Sequence, residues 1–390
     1  MIGFDEAVRR VADAARPLGT ERVALAEADG RNLAGPVVAQ LHSPRTDVSV
    51  MDGYAVVSAE PGAALRVVGE SLPGAGYAGR VGPGEAVRIF TGAPVPAGAE
   101  RVVIQENIRR EGDRAVIESD GEELHLRRRG SDFAAGDVLI GPGTLLGPRT
   151  LVAAAAADLA VVDVFRRPRL RVIATGDELA DPGTARGTPQ GIPDSISFGV
   201  AALARAWGAE TVGSVRMRDD LDAMRLAADA AVDVADLIVV TGGASVGDRD
   251  FARAMFSDAL DLIFSKVRIK PGKPVWLGRS GRTLVMGLPG NPISAMVTAR
   301  LLLAPLVAGL SGRDPLGALR WTELPLGEPL AAAGDRETFS RGRLADGRVR
   351  LLEDQGSGAQ GMLVAADLLV RREAGARCYH AGELVGTLPF

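Results

Sequence analysis

Lysine is nearly missing from this chain. Of 45 basic residues, 42 are arginine, and the three lysines, Lys266, Lys270 and Lys273, fall within eight consecutive positions. Cys378 is the one cysteine, which excludes an intramolecular disulfide framework and a multi-cysteine metal site. The three histidines, His42, His125 and His380, are scattered and form no ligand pattern. A bound metal would therefore rest on carboxylates, which favours magnesium. A basic excess is also absent. The net charge of −4 supplies no general field for nucleic acid, and Arg127-Arg128-Arg129 reads as a solvated loop. Phe4 to Leu18 lacks the apolar stretch of a signal peptide and reads as an amphipathic helix. The apolar run Ile293 to Leu310 is broken by Arg300 and Pro305, so it reads as a buried helix and not a membrane span. These absences predict a cytoplasmic protein with no nucleic-acid or membrane partner.

What is present is a globular composition, 46% hydrophobic and 24% charged over 390 residues. That length predicts about two to four domains. Residues 1–40 read as helix then turn, and with 137–167 they make a helical and linker domain. Residues 41–136 carry short alternating runs between Gly/Pro turns, the texture of an inserted β domain. From 168 to 315, strands alternate with helices: Leu170–Thr175, Thr211–Val215, Leu237–Thr241, Leu262–Ile269 and Thr283–Met286 read as strands. Asp219 reads as the cap of the helix that follows it. Uniformly apolar strands between helices predict a doubly wound, mostly parallel α/β sheet. Residues 316–390 return to strand and turn, a C-terminal barrel-like β domain.

Ligands of such sheets bind beyond the C-terminal ends of the strands. Lys270-Pro271-Gly272-Lys273-Pro274 lies there. Everywhere else this chain uses arginine, so ammonium in this turn points to a compact oxyanion. Gly287-Leu288-Pro289-Gly290-Asn291-Pro292, followed by Ser294, bares backbone N–H groups and leads into a helix N-terminus, an anion-binding arrangement. The loop of Gly242, Gly243, Ser245 and Gly247 can cup a phosphate. Asp248 and Asp250 follow it, as magnesium-bridging carboxylates or as plain helix caps. Asp177 and Glu178 end the first strand and suit a metal, a ribose or a solvated turn. Met51-Asp52-Gly53-Tyr54 sets an acid between a methionine expected to be buried and a Gly-Tyr turn. Alone, it reads first as an Asp-Gly hairpin turn.

In order along the chain, Ser49–Ala55, Thr91–Pro96, Arg127–Asp132, Thr175–Leu179, Gly242–Asp248, Lys270–Pro274 and Gly287–Pro292 resemble one family over essentially its whole length. It is the molybdopterin molybdenumtransferase family, of MoeA and the gephyrin E domain. The resemblance implies a four-domain homodimer, with the sheet domain of molybdopterin-binding type. Its active site would lie between that sheet and the partner's inserted β domain. The implied reaction takes adenylylated molybdopterin and molybdate, cleaves the phosphoanhydride with magnesium, releases AMP and places molybdenum in the dithiolene. The implied catalytic residues are Asp52, Thr91, Asp132, Glu178 and Asp250. Gly242, Gly243, Ser245, Gly247, Pro289, Asn291 and Pro292 would bind substrate. Lys270, Lys273, Ser294, Arg341 and Ser357 would hold molybdate, and Asp52, Glu178, Asp248 and Asp250 the metal. The molybdopterin adenylyltransferase and apo-molybdoenzymes are further implied partners.

One segment departs from the pattern. Pro193-Asp194-Ser195-Ile196 has isoleucine where the family usually has asparagine, so an apolar group replaces an amide that could bond a ligand. Two other functions compete with the insertase. One is the adenylyltransferase that shares the sheet domain, against which the flanking β domains argue. The other is a non-catalytic scaffold of the gephyrin kind.

Overall fold

The computed structural model describes residues 1–119, 121–187, 189–243, 251–256 and 259–390. Its centre is a six-stranded sheet. In spatial order the strands are Glu210–Met217, Arg169–Thr175, Leu237–Thr241, Thr283–Leu288, Trp276–Ser280 and Leu260–Phe264. The first four run parallel, and the last two join by antiparallel pairing. Alternate side chains serve opposite faces. Leu170, Val172, Leu237 and Val239 meet the helices Phe4–Ala14, Ile196–Ala206 and Pro292–Leu310. Ile173, Ile238 and Val240 meet Met224, Ala228 and Ala231 of the helix Leu221–Val234.

The apolar run before the last module is the buried helix expected. Pro292–Leu310 is long and apolar enough to cross a membrane, yet 94% of its most apolar window is buried inside the protein. Its two interruptions have physical roles. Pro305 cannot donate to the helix ladder, and the turn before it, Ala299–Leu303, widens to a π-helix. Arg300 donates to the carbonyls of Pro389 at 2.7 Å and Ala318 at 3.0 Å, and its burial pulls its pKa down to about 10. The arginine thus ties the chain's last strand to its central helix.

Three expectations need correction. Residues 1–40 are not simply helix and turn: Thr20–Ala24 is a strand paired antiparallel with Val161–Phe165. The helix from Leu221 is capped by Asp220, whose side chain accepts from the N–H groups of Asp222 and Ala223; Asp219 is not the cap. The run Leu262–Ile269 is two strands in two sheets. Leu260–Phe264 is the edge of the central sheet, whereas Ile269–Lys270 pairs with Glu337 and Thr338 of the last module. Apolar residues at both ends of the run, Leu262 to Phe264 and Val267 with Ile269, hide that switch. Trp276–Ser280 is a further strand, hydrogen-bonded to Thr283–Leu288.

The first β module is a second six-stranded sheet, ordered Arg101–Ile104, Gly53–Val56, Glu85–Ile89, Ala64–Ser71, Arg114–Ile117 and Ile108–Glu111. The last module is a third, built around Glu337–Ala345, Leu368–Arg372 and Leu384–Pro389.

Candidate active site

The central sheet's strand order reverses between Arg169–Thr175 and Leu237–Thr241, with their successors on opposite sides. Crevices open at such points. A cavity of about 1000 Å³ lies there, at the C-terminal ends of the parallel strands. Its floor is made by closely packed backbone. The Thr175 hydroxyl donates to the Thr241 carbonyl at 3.2 Å. Gly242 has φ +88°, and a Cβ there would lie 2.3 Å from the Thr175 carbonyl oxygen. A Cβ at Gly290 would lie 3.2 Å from the Gly242 Cα, so a side chain there would press the two loops apart.

One wall is polar. Gly242, Gly243, Asn291 and Ser294 line it, and Pro292 opens the helix beside them. The Asn291 Oδ1 is buried without a hydrogen-bond partner among the described residues, an acceptor available to a bound donor. Another part of the lining is apolar: Leu179, Ile192, Pro193 and Ile196. Ile196 is 8% exposed and packs into the main core, so an apolar residue at this position serves folding as well as the cavity. Glu178 also lines the cavity, with its carboxylate folded back against Gly176. Sequence reading missed Gly358 and Gln360, which reach the cavity from the last module. The Ser195 hydroxyl donates to Gln360 Oε1 at 3.1 Å, tying that module to the helix across the opening. No local signal marks Gln360, because 165 residues separate it from Ser195.

The lysine turn sits on the helix that carries Ser294. A Cβ at Gly272 would lie 2.1 Å from the Thr298 Cγ2 and 3.6 Å from the Ser294 carbonyl. Pro274 lines the cavity; Lys270 and Lys273 are exposed, with no side-chain bond among the described residues. Arg341 is 1% exposed and is engaged by the loop ahead of Ser357: it donates to the carbonyls of Asp354 at 2.6 Å and Gly356 at 3.3 Å. Ser357 is exposed beside it.

Asp52, Thr91 and Asp132 are elsewhere. None lines the cavity; all three belong to the first β module. Asp52 Oδ1 accepts from the Thr91 N–H at 2.7 Å and from its hydroxyl at 2.8 Å. The Thr91 N–H, then its hydroxyl, hold the Asp52 carboxyl below the usual carboxylate range. Asp132 accepts from the Ser43 hydroxyl at 3.3 Å and faces Arg127 at 3.6 Å. Two readings of this segment are revised. Met51 is 40% exposed and not buried. Gly53 begins a strand rather than a hairpin turn, and is needed because a Cβ would lie 2.0 Å from the Val103 carbonyl oxygen. Ser245, Gly247, Asp248 and Asp250 lie outside the described residues. Among the described residues, no three histidines, cysteines or carboxylates converge as a metal set.

Three family models match the chain in succession: the MoeA N-terminal region (domain I and II) over residues 2–157, the probable molybdopterin binding domain over 171–309, and the MoeA C-terminal region (domain IV) over 323–390. A molybdopterin molybdenumtransferase of Haemophilus influenzae is 32% identical over 388 residues, covering 96% of this chain and 95% of that protein. Molybdopterin molybdenumtransferase 2 of Mycobacterium tuberculosis is 37% identical over 320 residues, 78% of each chain. The crystal structure of a molybdopterin biosynthesis MoeA protein from Pyrococcus horikosii superposes with a TM-score of 0.86 at 27% identity, covering 100% of this chain and 99% of that one. With the switch-point cavity and its loops, these likenesses place the chain in the molybdopterin molybdenumtransferase (MoeA) family, as an enzyme of molybdenum cofactor biosynthesis.

Proposed function

We propose that the substrate is adenylylated molybdopterin, and that cleavage of its phosphoanhydride releases AMP as molybdenum from molybdate enters the dithiolene. The single observation that carries this reading is the mixed lining of the cavity. Leu179, Ile192 and Ile196 suit a flat heterocycle, and the polar groups of Gly242, Gly243, Asn291 and Ser294 suit phosphate. The Gly242-Gly243 backbone and the helix start at Pro292 offer N–H groups to an anion. Lys270 and Lys273, exposed on a turn braced against the Ser294 turn, would draw in the tetrahedral dianion, with Ser294, Ser357 and Arg341 completing its pocket.

Magnesium fits the donors available. It is commonly held by one or two carboxylates plus substrate phosphates, without a full protein cage. Glu178 at the cavity and Asp52 are hard oxygen donors of that kind, and Asp248 and Asp250 are the other proposed ligands. Bound there, the ion would neutralise phosphate charge. The proposed enzyme is a homodimer: the first β module of one subunit would bring Asp52, Thr91 and Asp132 to the other's cavity, since no residue of that module lines the cavity of its own chain. The proposed domains are 1–40 with 137–167, 41–136, 168–315 and 316–390, and the proposed compartment is the cytoplasm.

The test is AMP release by purified protein from adenylylated molybdopterin with molybdate and magnesium. Wild type should release AMP and transfer molybdenum. Asp52→Ala, with circular dichroism unchanged, should be slower by about a hundredfold or more. Net adenylylation of molybdopterin from ATP would replace this reading with the adenylyltransferase. Absence of both activities would favour a scaffold.

A further inference from the structure

Arg88 has no part in the site described so far, yet one guanidinium contacts residues next to both Asp52 and Thr91. It lies on the strand Glu85–Ile89, near two aromatic rings. Its Cζ is 5.1 Å from the Tyr54 ring centre and 4.9 Å from that of Phe90. One nitrogen donates to the Gly53 carbonyl at 3.2 Å, and another to Gln105 Oε1 at 2.7 Å. Gln105 in turn donates its backbone N–H to the Asp52 carbonyl at 3.0 Å.

These partners are the immediate neighbours of the Asp52–Thr91 pair. Gly53 follows Asp52, Phe90 precedes Thr91, and Gln105 holds the Asp52 main chain. Asp52 Oδ1 is occupied by both Thr91 donors, while Oδ2 has no hydrogen-bond partner among the described residues. A carboxylate fixed on one oxygen and open on the other is pre-aimed at a ligand. A flat fork that bonds on two prongs and lies over two aromatic rings can build this grip, whereas an ammonium cannot.

We propose that Arg88 is a positioning residue for Asp52: it pins the two turns carrying Asp52 and Thr91 and so sets the direction of the free carboxylate oxygen. This rests on the reading of Asp52 given above and deepens it. Arg88 acts through the residues it holds: two of its N–H groups are taken by Gly53 and Gln105.

The test uses the full-length protein and AMP release from adenylylated molybdopterin. Arg88→Lys and Arg88→Gln should each lower kcat by on the order of ten- to a hundredfold, with KM little changed. Their circular dichroism should match wild type. In an Asp52→Asn background, Arg88→Gln should cost nothing further, since the residue it positions is already disabled. If Asp52→Asn turns over normally, the Asp52 reading fails, and this inference with it. If Asp52→Asn is crippled while both Arg88 variants keep wild-type kcat, or if the losses multiply in the double variant, this inference alone is overturned. A rate loss matched by loss of folded protein, or full rescue by lysine, also overturns it.

Discussion

Replacing Gly242 by alanine tests whether the cavity floor needs a backbone without a side chain. Two costs add. The left-handed conformation at φ +88° costs a residue with a Cβ roughly 1–2 kcal/mol. The new Cβ would start 2.3 Å from the Thr175 carbonyl oxygen and must move to at least 3.0 Å. Its obstacle is main chain in a buried strand, so relief requires a shift of about 0.7 Å between two strand ends, and overpacking of this kind costs about 1–3 kcal/mol. The two terms together predict a loss of about 2–5 kcal/mol. The assay is urea unfolding followed by tryptophan fluorescence, since Trp276 is 1% exposed within the same sheet. The midpoint should fall by about 1 M. Gly143→Ala is the control: its φ is +80°, but nothing lies within 4 Å of its Cβ, so only the backbone cost applies. Equal midpoint shifts in the two variants would refute the claim that packed loops, and not the backbone angle alone, require Gly242.

Asp236 accepts from both terminal nitrogens of Arg166 at 3.0 Å and from the Arg169 N–H at 2.9 Å. Burial pushes its pKa up, but the Arg166 fork and the Arg169 donors outweigh that and leave it below the ordinary 3.8. The charged form therefore stabilises the fold above pH 3.8, and the gain is lost as pH falls through the lowered folded value. Asp236→Asn should lose about 2 kcal/mol at neutral pH, discounted from the buried-pair value because both arginines are partly exposed. Its urea midpoint should converge with wild type in acid; a gap that persists there would contradict this assignment. Lys273→Arg keeps the charge but should raise the molybdate concentration needed for half-maximal rate about tenfold, the worth of one charge-assisted hydrogen bond. Wild-type molybdate dependence in that variant would remove the case for an ammonium-specific pocket.

The central sheet was legible because its strands are buried on both faces and read as unbroken apolar runs: Leu237–Thr241 is buried at all five positions. The helix from Pro292 was legible for the same reason, together with the proline at its start. Errors came where local pattern had two solutions. Asp219 and Asp220 are chemically equivalent caps, and only the turn geometry chose Asp220. The Leu262–Ile269 run gave no sign that its end leaves the central sheet, since pairing with Glu337 depends on a strand about 70 residues away in a different module.

The same division holds for the site. The chain's own residues singled out the candidate loops, because glycine, proline and lack of lysine elsewhere are written locally. The lysine turn, the Gly242 loop and the Pro289–Pro292 loop all needed no tertiary knowledge to be singled out. Only the fold decided what they face. It brought Gln360 to Ser195 at the cavity, buried Arg341 under the Ser357 loop, exposed Met51, and set Asp52 in a module that does not reach its own chain's cavity. Backbone preferences act over a few residues, and these placements follow from packing between segments from 13 positions apart, as for Arg341 and Asp354, to 165, as for Ser195 and Gln360.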